Sequence, residues 1–235
     1  MKKPLLLFAI LPLMISCNGQ QKRPATSLAK EAVQLENFDF NTKISTLLPA
    51  DTKSKDYAGY YQVKGEFIQI DTIADDNFIG KEKPLRIEYR QRSYSSRDVL
   101  AKVDDYEYNA VNLATTLDGK IMLISAVVGK TTINDSNDLV AYLTKKYGKP
   151  VKTNGDFASK NFDIYTWQLK DRMIRYSMVL DNEESTLKIE VDQERKQIKG
   201  GDKNPHYTGY IFVIKNEYKD KIFEYPSSGD FVYLQ

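Results

Sequence analysis

The chain is predicted to form an α+β fold, a largely antiparallel sheet with one or two packed helices, and three observations carry that reading. Apolar and polar residues alternate with period two in several stretches. The clearest sets Leu85, Ile87 and Tyr89 against Arg86, Glu88 and Arg90. Ile121 to Val128 is a nearly continuous apolar run, the mark of a strand covered on both faces. Leu139, Val140, Leu143 and Tyr147 then recur at helical spacing behind the capping-rich run Asn134 to Asp138.

Taken in order, Ser27 to Leu35 reads as a short helix, with Ser27 as its cap and Leu28, Ala32 and Leu35 on one side. Phe38, Phe40, Ile44, Leu47 and Leu48 suit a packed loop or edge segment ahead of Pro49. From Tyr57 to Tyr89 the period-two pattern predicts antiparallel strands with one solvated face, so that Arg86, Glu88 and Arg90 point to water. Ser95 or Ser96 caps a short helix through Val103, and Tyr106, Tyr108 and Ala110 continue a strand to the turn at Asp118 and Gly119. Gly148 ends the central helix and Pro150 prevents its resumption.

Strands are then expected at Phe162 to Lys170, Met173 to Leu180 and Leu187 to Val191. Lys199 to Pro205 reads as an exposed loop, and Tyr210 to Ile214 and Phe231 to Leu234 as closing strands. Trp167 lies mid-strand with Tyr165 and Leu169 on its side, and short connections keep consecutive elements adjacent, so the helix should pack on the face that carries it. A helix flanked by strands in each half leaves room for a two-lobed arrangement, with a sub-boundary near residues 114–119.

At the N-terminus, Lys2 and Lys3 precede the apolar run Leu5 to Leu11, and Leu13, Met14, Ile15 and Ser16 lead to Cys17. The run is broken by Pro4 and Pro12 and falls short of the roughly 18 apolar residues of a spanning helix, which makes it a secretory signal. Its end resembles the lipobox of bacterial lipoproteins. That resemblance implies cleavage before Cys17, lipidation of the Cys17 sulfur and membrane attachment through the lipid. It divides the chain into a signal at 1–16, a lipidated cysteine and flexible tether at 17–26, and a globular domain at 27–235. Asn18 is not the aspartate associated with inner-membrane retention, and the tether lacks acids, so the implied site is the periplasmic face of the outer membrane.

Removing sixteen residues from 235 leaves 219, enough for one large domain or two small ones. The signal takes Lys2 and Lys3 with it, so 34 basic residues against 32 acidic become an even balance. No nucleic-acid partner is expected from a chain without basic excess. With Cys17 the only cysteine and His206 the only histidine, thiolate sites and sites of two or more imidazoles within the chain are excluded. No metal and no cofactor is expected.

The search for catalytic motifs gives no catalytic residue. Gly129, Lys130 and Thr131 look like the end of a phosphate-binding loop, but Ile124 stands where its first glycine belongs, so they read as a strand end. Asp135 and Asn137 begin like a calcium loop, but Leu139 and Lys146 occupy later ligand positions, so the segment is a helix cap. His206 reads as a surface histidine. The doublets Asp75-Asp76, Asp104-Asp105 and Glu183-Glu184 could supply an acid and a base for glycoside hydrolysis, but adjacent acids commonly diverge into water. Asp71, Thr72 and Ile73 resemble a bacterial O-glycosylation acceptor site. The expected function is a non-catalytic, lipid-anchored envelope protein that binds a protein, glycan or small ligand. An immunity or inhibitor lipoprotein against a secreted toxin, and a carboxylate-dependent envelope hydrolase, are the alternatives.

Overall fold

A computed structural model describes residues 26–75, 83–93, 97–183, 189–192, 197–200, 203–225 and 228–235. The signal, Cys17, the tether up to residue 25, Ser95, Ser96, Asp76 and Glu184 lie outside the described residues. Fourteen strands are present among those described. The first seven are β1 (Val33–Gln34), β2 (Tyr60–Val63), β3 (Glu66–Asp75), β4 (Lys83–Gln91), β5 (Ala101–Val103), β6 (Tyr106–Tyr108) and β7 (Ala110–Thr115). The others are β8 (Ile121–Thr131), β9 (Val151–Phe157), β10 (Lys160–Gln168), β11 (Arg172–Asp181), β12 (Ile189–Asp192), β13 (Gln197–Gly200) and β14 (His206–Lys215). Helices are α1 (Ile44–Leu47), α2 (Ile133–Tyr147) and α3 (Lys219–Phe223). No described helix is long and apolar enough to cross a membrane.

Nine strands form one sheet in the order β2-β3-β4-β7-β8-β14-β11-β10-β9, and every neighbouring pair is antiparallel. The fold is therefore a mostly antiparallel α+β architecture with few helices, as the alternation predicts. Residues 116–119 turn β7 into β8 within this sheet, so it runs on across the 114–119 point. The central strands are covered on both faces. Ile124 and Ala126 of β8 join Ile211 and Val213 of β14 under Leu139 and Leu143 of α2, together with Leu28, Leu35, Phe38 and Leu47. On the other face Leu123, Phe212 and Ile214 meet Tyr218, Ile222, Phe231 and Leu234 of the C-terminal segment.

Helix α2 begins at Thr132, whose hydroxyl accepts from the Asp135 backbone N–H while the Asp135 carboxylate accepts from the Thr132 backbone N–H, a reciprocal cap. It ends on Gly148, whose φ of 88° favours glycine. The carbonyl of Gly148 accepts a 3.0 Å bond from the indole N–H of Trp167, which is 2 % exposed and belongs to the cluster under α2. The packing of this helix on the Trp167 face is therefore as the sequence predicts.

Four expectations are corrected. Residues 27–35 are not a helix: Ser27 closes one turn through its hydroxyl and carbonyl, and the chain then joins β5 in parallel. An isolated helix that short is marginal, and pairing with β5 buries Leu28 and Leu35 equally well. No helix leads to Val103, because Leu100 to Val103 bond to β6 and β1 instead. Phe231 to Leu234 lie in a 3-10 helix, Gly229–Leu234, whose three-residue turn buries both residues on one side. The Lys199 to Pro205 loop is preceded by β13, which reaches Gly200 and pairs with β12. Strand β9, which no apolar pattern announces, borders the large sheet.

Candidate functional site

A cleft of about 320 Å³ with polar lining lies where the β5–β6 hairpin meets the end of β8 and the start of α2. Its base is Tyr108, Tyr176 and Leu139, all buried. Its rim is Asp105, Tyr106, Glu107, Lys130, Thr131 and Asp135. Strand alternation turns Tyr108 inward and leaves Glu107 outside. The turn at Asp104, φ 52°, carries Asp105 to the mouth.

Three of the polar side chains here are committed. Asp135 caps α2 and also accepts from the Thr132 hydroxyl at 2.7 Å. Glu107 accepts from Lys102 at 2.6 Å, and the Tyr176 and Ser136 hydroxyls are 2.6 Å apart. Asp105, Tyr106, Tyr108, Lys130 and Thr131 have no side-chain hydrogen-bond partner among the described residues, and of these Tyr108 is the most buried, at 1 % exposed. A polar group that enters the cleft can bond the Tyr108 hydroxyl in place of solvent. The rim carries charges of both signs, Asp105 and Asp135 beside Lys130. Burial raises the Tyr106 phenol, and Asp138, Asp135, Asp104 and Asp105 raise it further.

Burial also holds neighbouring phenols neutral. It pushes Tyr176 up to about 12 and Tyr108 well above its ordinary range. Both pKa values are raised on folding, so their stabilising contribution is complete below the unfolded value near 10 and is lost as pH rises through the folded values. We expect cooperative alkaline unfolding between about pH 10 and 12, with tyrosinate absorbance rising in step with the loss of circular dichroism. Ionisation of all sixteen tyrosines near pH 10 without unfolding would contradict this placement.

A second polar cluster lies on the opposite sheet face, where the sequence predicts water. Arg86 and Glu88 are 3 % and 1 % exposed and bond at 2.8 Å between Arg86 Nε and Glu88 Oε1. Arg90 donates to Asp71 and to Ser228 Oγ, and Asn112 donates to Asp230. The C-terminal segment therefore closes this side. Burial raises the Glu88 carboxyl, with the Arg86 guanidinium opposing. That is a property of many catalytic acids, but Glu88 is sealed from any substrate.

The residues singled out from sequence are scattered. Gly129, Lys130 and Thr131 end strand β8, and only the last two reach the cleft. Asp104 and Asp105 sit on the β5–β6 turn, and only Asp105 lines the cleft. Asp75 ends β3. Glu183, buried at φ 55°, accepts from the Asn204 backbone N–H at 2.6 Å. His206 opens β14 with Nδ1 2.9 Å from the Asn204 carbonyl oxygen and 3.7 Å from Glu183, so it is partly enclosed rather than a free surface group. Asp71 is engaged by Arg90 and Gln69, while Thr72 beside it is exposed. Among the described residues no three of His, Cys, Asp and Glu are placed to hold a metal ion. Sequence reasoning missed Tyr106, Tyr108 and Tyr176, for which the only signal was the abundance of tyrosine.

Comparison with family models, with curated proteins and with solved structures finds no match for this chain.

Proposed function

We propose that this chain is a lipid-anchored envelope protein, attached through Cys17 at the periplasmic face of the outer membrane, that binds its ligand without converting it. The cleft takes a positively charged amine. The observation that carries this reading is the Tyr108 hydroxyl, without a partner among the described residues, at the base of a cleft with the unpaired carboxylate of Asp105 on its rim. An ammonium group donates to the phenol oxygen, lies against the faces of Tyr106 and Tyr176 and faces Asp105. Engagement of Asp135 in the helix cap and of Glu107 by Lys102 favours holding over proton transfer.

Two variants test the reading. Asp105→Asn should weaken binding of a small diamine about tenfold, measured by calorimetry on the full chain, with unfolding midpoint unchanged. Unaltered affinity would refute the assignment of the rim. Cys17→Ala should abolish incorporation of a fatty-acid analogue, and equal labelling of both proteins would refute the anchor.

A further inference from the structure

One edge of the nine-stranded sheet is β9, and its backbone groups can be assigned a direction. Gln235 accepts from the Asp156 backbone N–H at 3.0 Å and donates to the Asp156 carbonyl at 2.6 Å, so the side-chain amide stands where the peptide group of a further strand would stand. Asp156 therefore faces away from β10. By the alternation of antiparallel ladders so do Asn154 and Lys152, which register opposite Asp163 and Tyr165. No described group takes up the outward N–H and C=O groups of Asn154 and Lys152. All of β9 but Gly155 is exposed, including Val151 at 66 % and Phe157 at 40 %. Gly155 is fixed by close approach: an added Cβ would lie 2.5 Å from the Phe162 ring.

The sequence of this edge is complementary to itself. We propose that β9 pairs with β9 of a second copy, antiparallel about a two-fold axis at Asn154, extending the sheet across both molecules. That register sets Lys152 opposite Asp156 and Val151 opposite Phe157, each pair occurring twice by symmetry. Lys152 and Asp156 lie on one sheet face, and Val151 and Phe157 on the other. Asn154 exchanges two backbone bonds with its own counterpart. Asp156 exchanges its two bonds to Gln235 for two to Lys152 of the partner subunit. Gln235 is then a competitor for the edge, one of the devices that keep such edges from pairing freely.

Cysteine scanning reads this register directly, because Cys17 is the only native thiol. In the full chain carrying Cys17→Ala, Asn154→Cys should give a disulfide-linked dimer under mild oxidation. Facing residues at a hydrogen-bonded position are about 5.5 Å apart, within disulfide reach. Val151→Cys should not, because six residues of offset separate its two copies by about 20 Å. Sedimentation should show Lys152→Asp weakening dimerisation about tenfold, Lys152→Asp with Asp156→Lys restoring it, and Gln235→Ala strengthening it. Equal cross-linking at 151 and 154, no cross-linking at 154, or a Gln235→Ala variant that stays monomeric at every concentration would each overturn the proposal.

Discussion

Trp167→Ala is expected to lower the stability of the folded chain by about 3–5 kcal/mol, measured by urea unfolding. The indole is almost wholly buried among Leu139, Leu143, Ile174 and Val213, and stacks with Tyr165 at 6.4 Å between ring centroids. Its truncation leaves a large void and strips the Gly148 carbonyl of its 3.0 Å partner at the very end of α2. Trp167→Phe restores most of the volume and not the hydrogen bond, so it should lose less. Because Trp167 is the only tryptophan, its emission reports the site, and it should lie at short wavelengths in the folded state and shift on unfolding. Water-like emission from the folded protein would contradict the packing.

Glu88→Ala is expected to cost about 3–5 kcal/mol, because it leaves the Arg86 guanidinium buried without its 2.8 Å partner. Asp71 does not replace Glu88 for Arg86, being itself bound to Arg90. The same physics gives a second expectation of opposite sign. Arg86→Met with Glu88→Leu removes both desolvation penalties and should return stability to within about 1 kcal/mol of the parent or above it. Equilibrium unfolding of the three proteins decides the matter, and a double variant as weak as Glu88→Ala would show that the pair itself, rather than its unmatched half, is what the fold needs.

The sequence revealed those elements whose local signals agree with their tertiary surroundings. The run Ile121 to Val128 is a central strand because both sides of it are core, and α2 ends at Gly148 because its last turn requires a residue at positive φ. Residues 27–35 misled because Leu28 and Leu35 are buried equally by a turn followed by a strand, a choice made by partner β5 some 70 residues away. Arg86 and Glu88 misled for a related reason: alternation shows which residues share a face, but whether that face meets water depends on the C-terminal residues Ser228 to Leu234. Strand β9 has no apolar alternation to display because it is exposed on nearly every residue. The cleft was illegible, since Asp105, Tyr108, Lys130, Asp135 and Tyr176 come from separate elements that only the folded sheet brings together.

Calorimetric titration of the full chain with putrescine, beside the diol of the same carbon skeleton, tests the central claim most directly. The two ligands match in size and differ in charge. The diamine should bind, the diol should bind about tenfold or more weakly, and Tyr108→Phe should weaken the diamine while leaving the unfolding midpoint unchanged. Equal affinity for both ligands, or no binding of either, would contradict a cleft built to hold a cation.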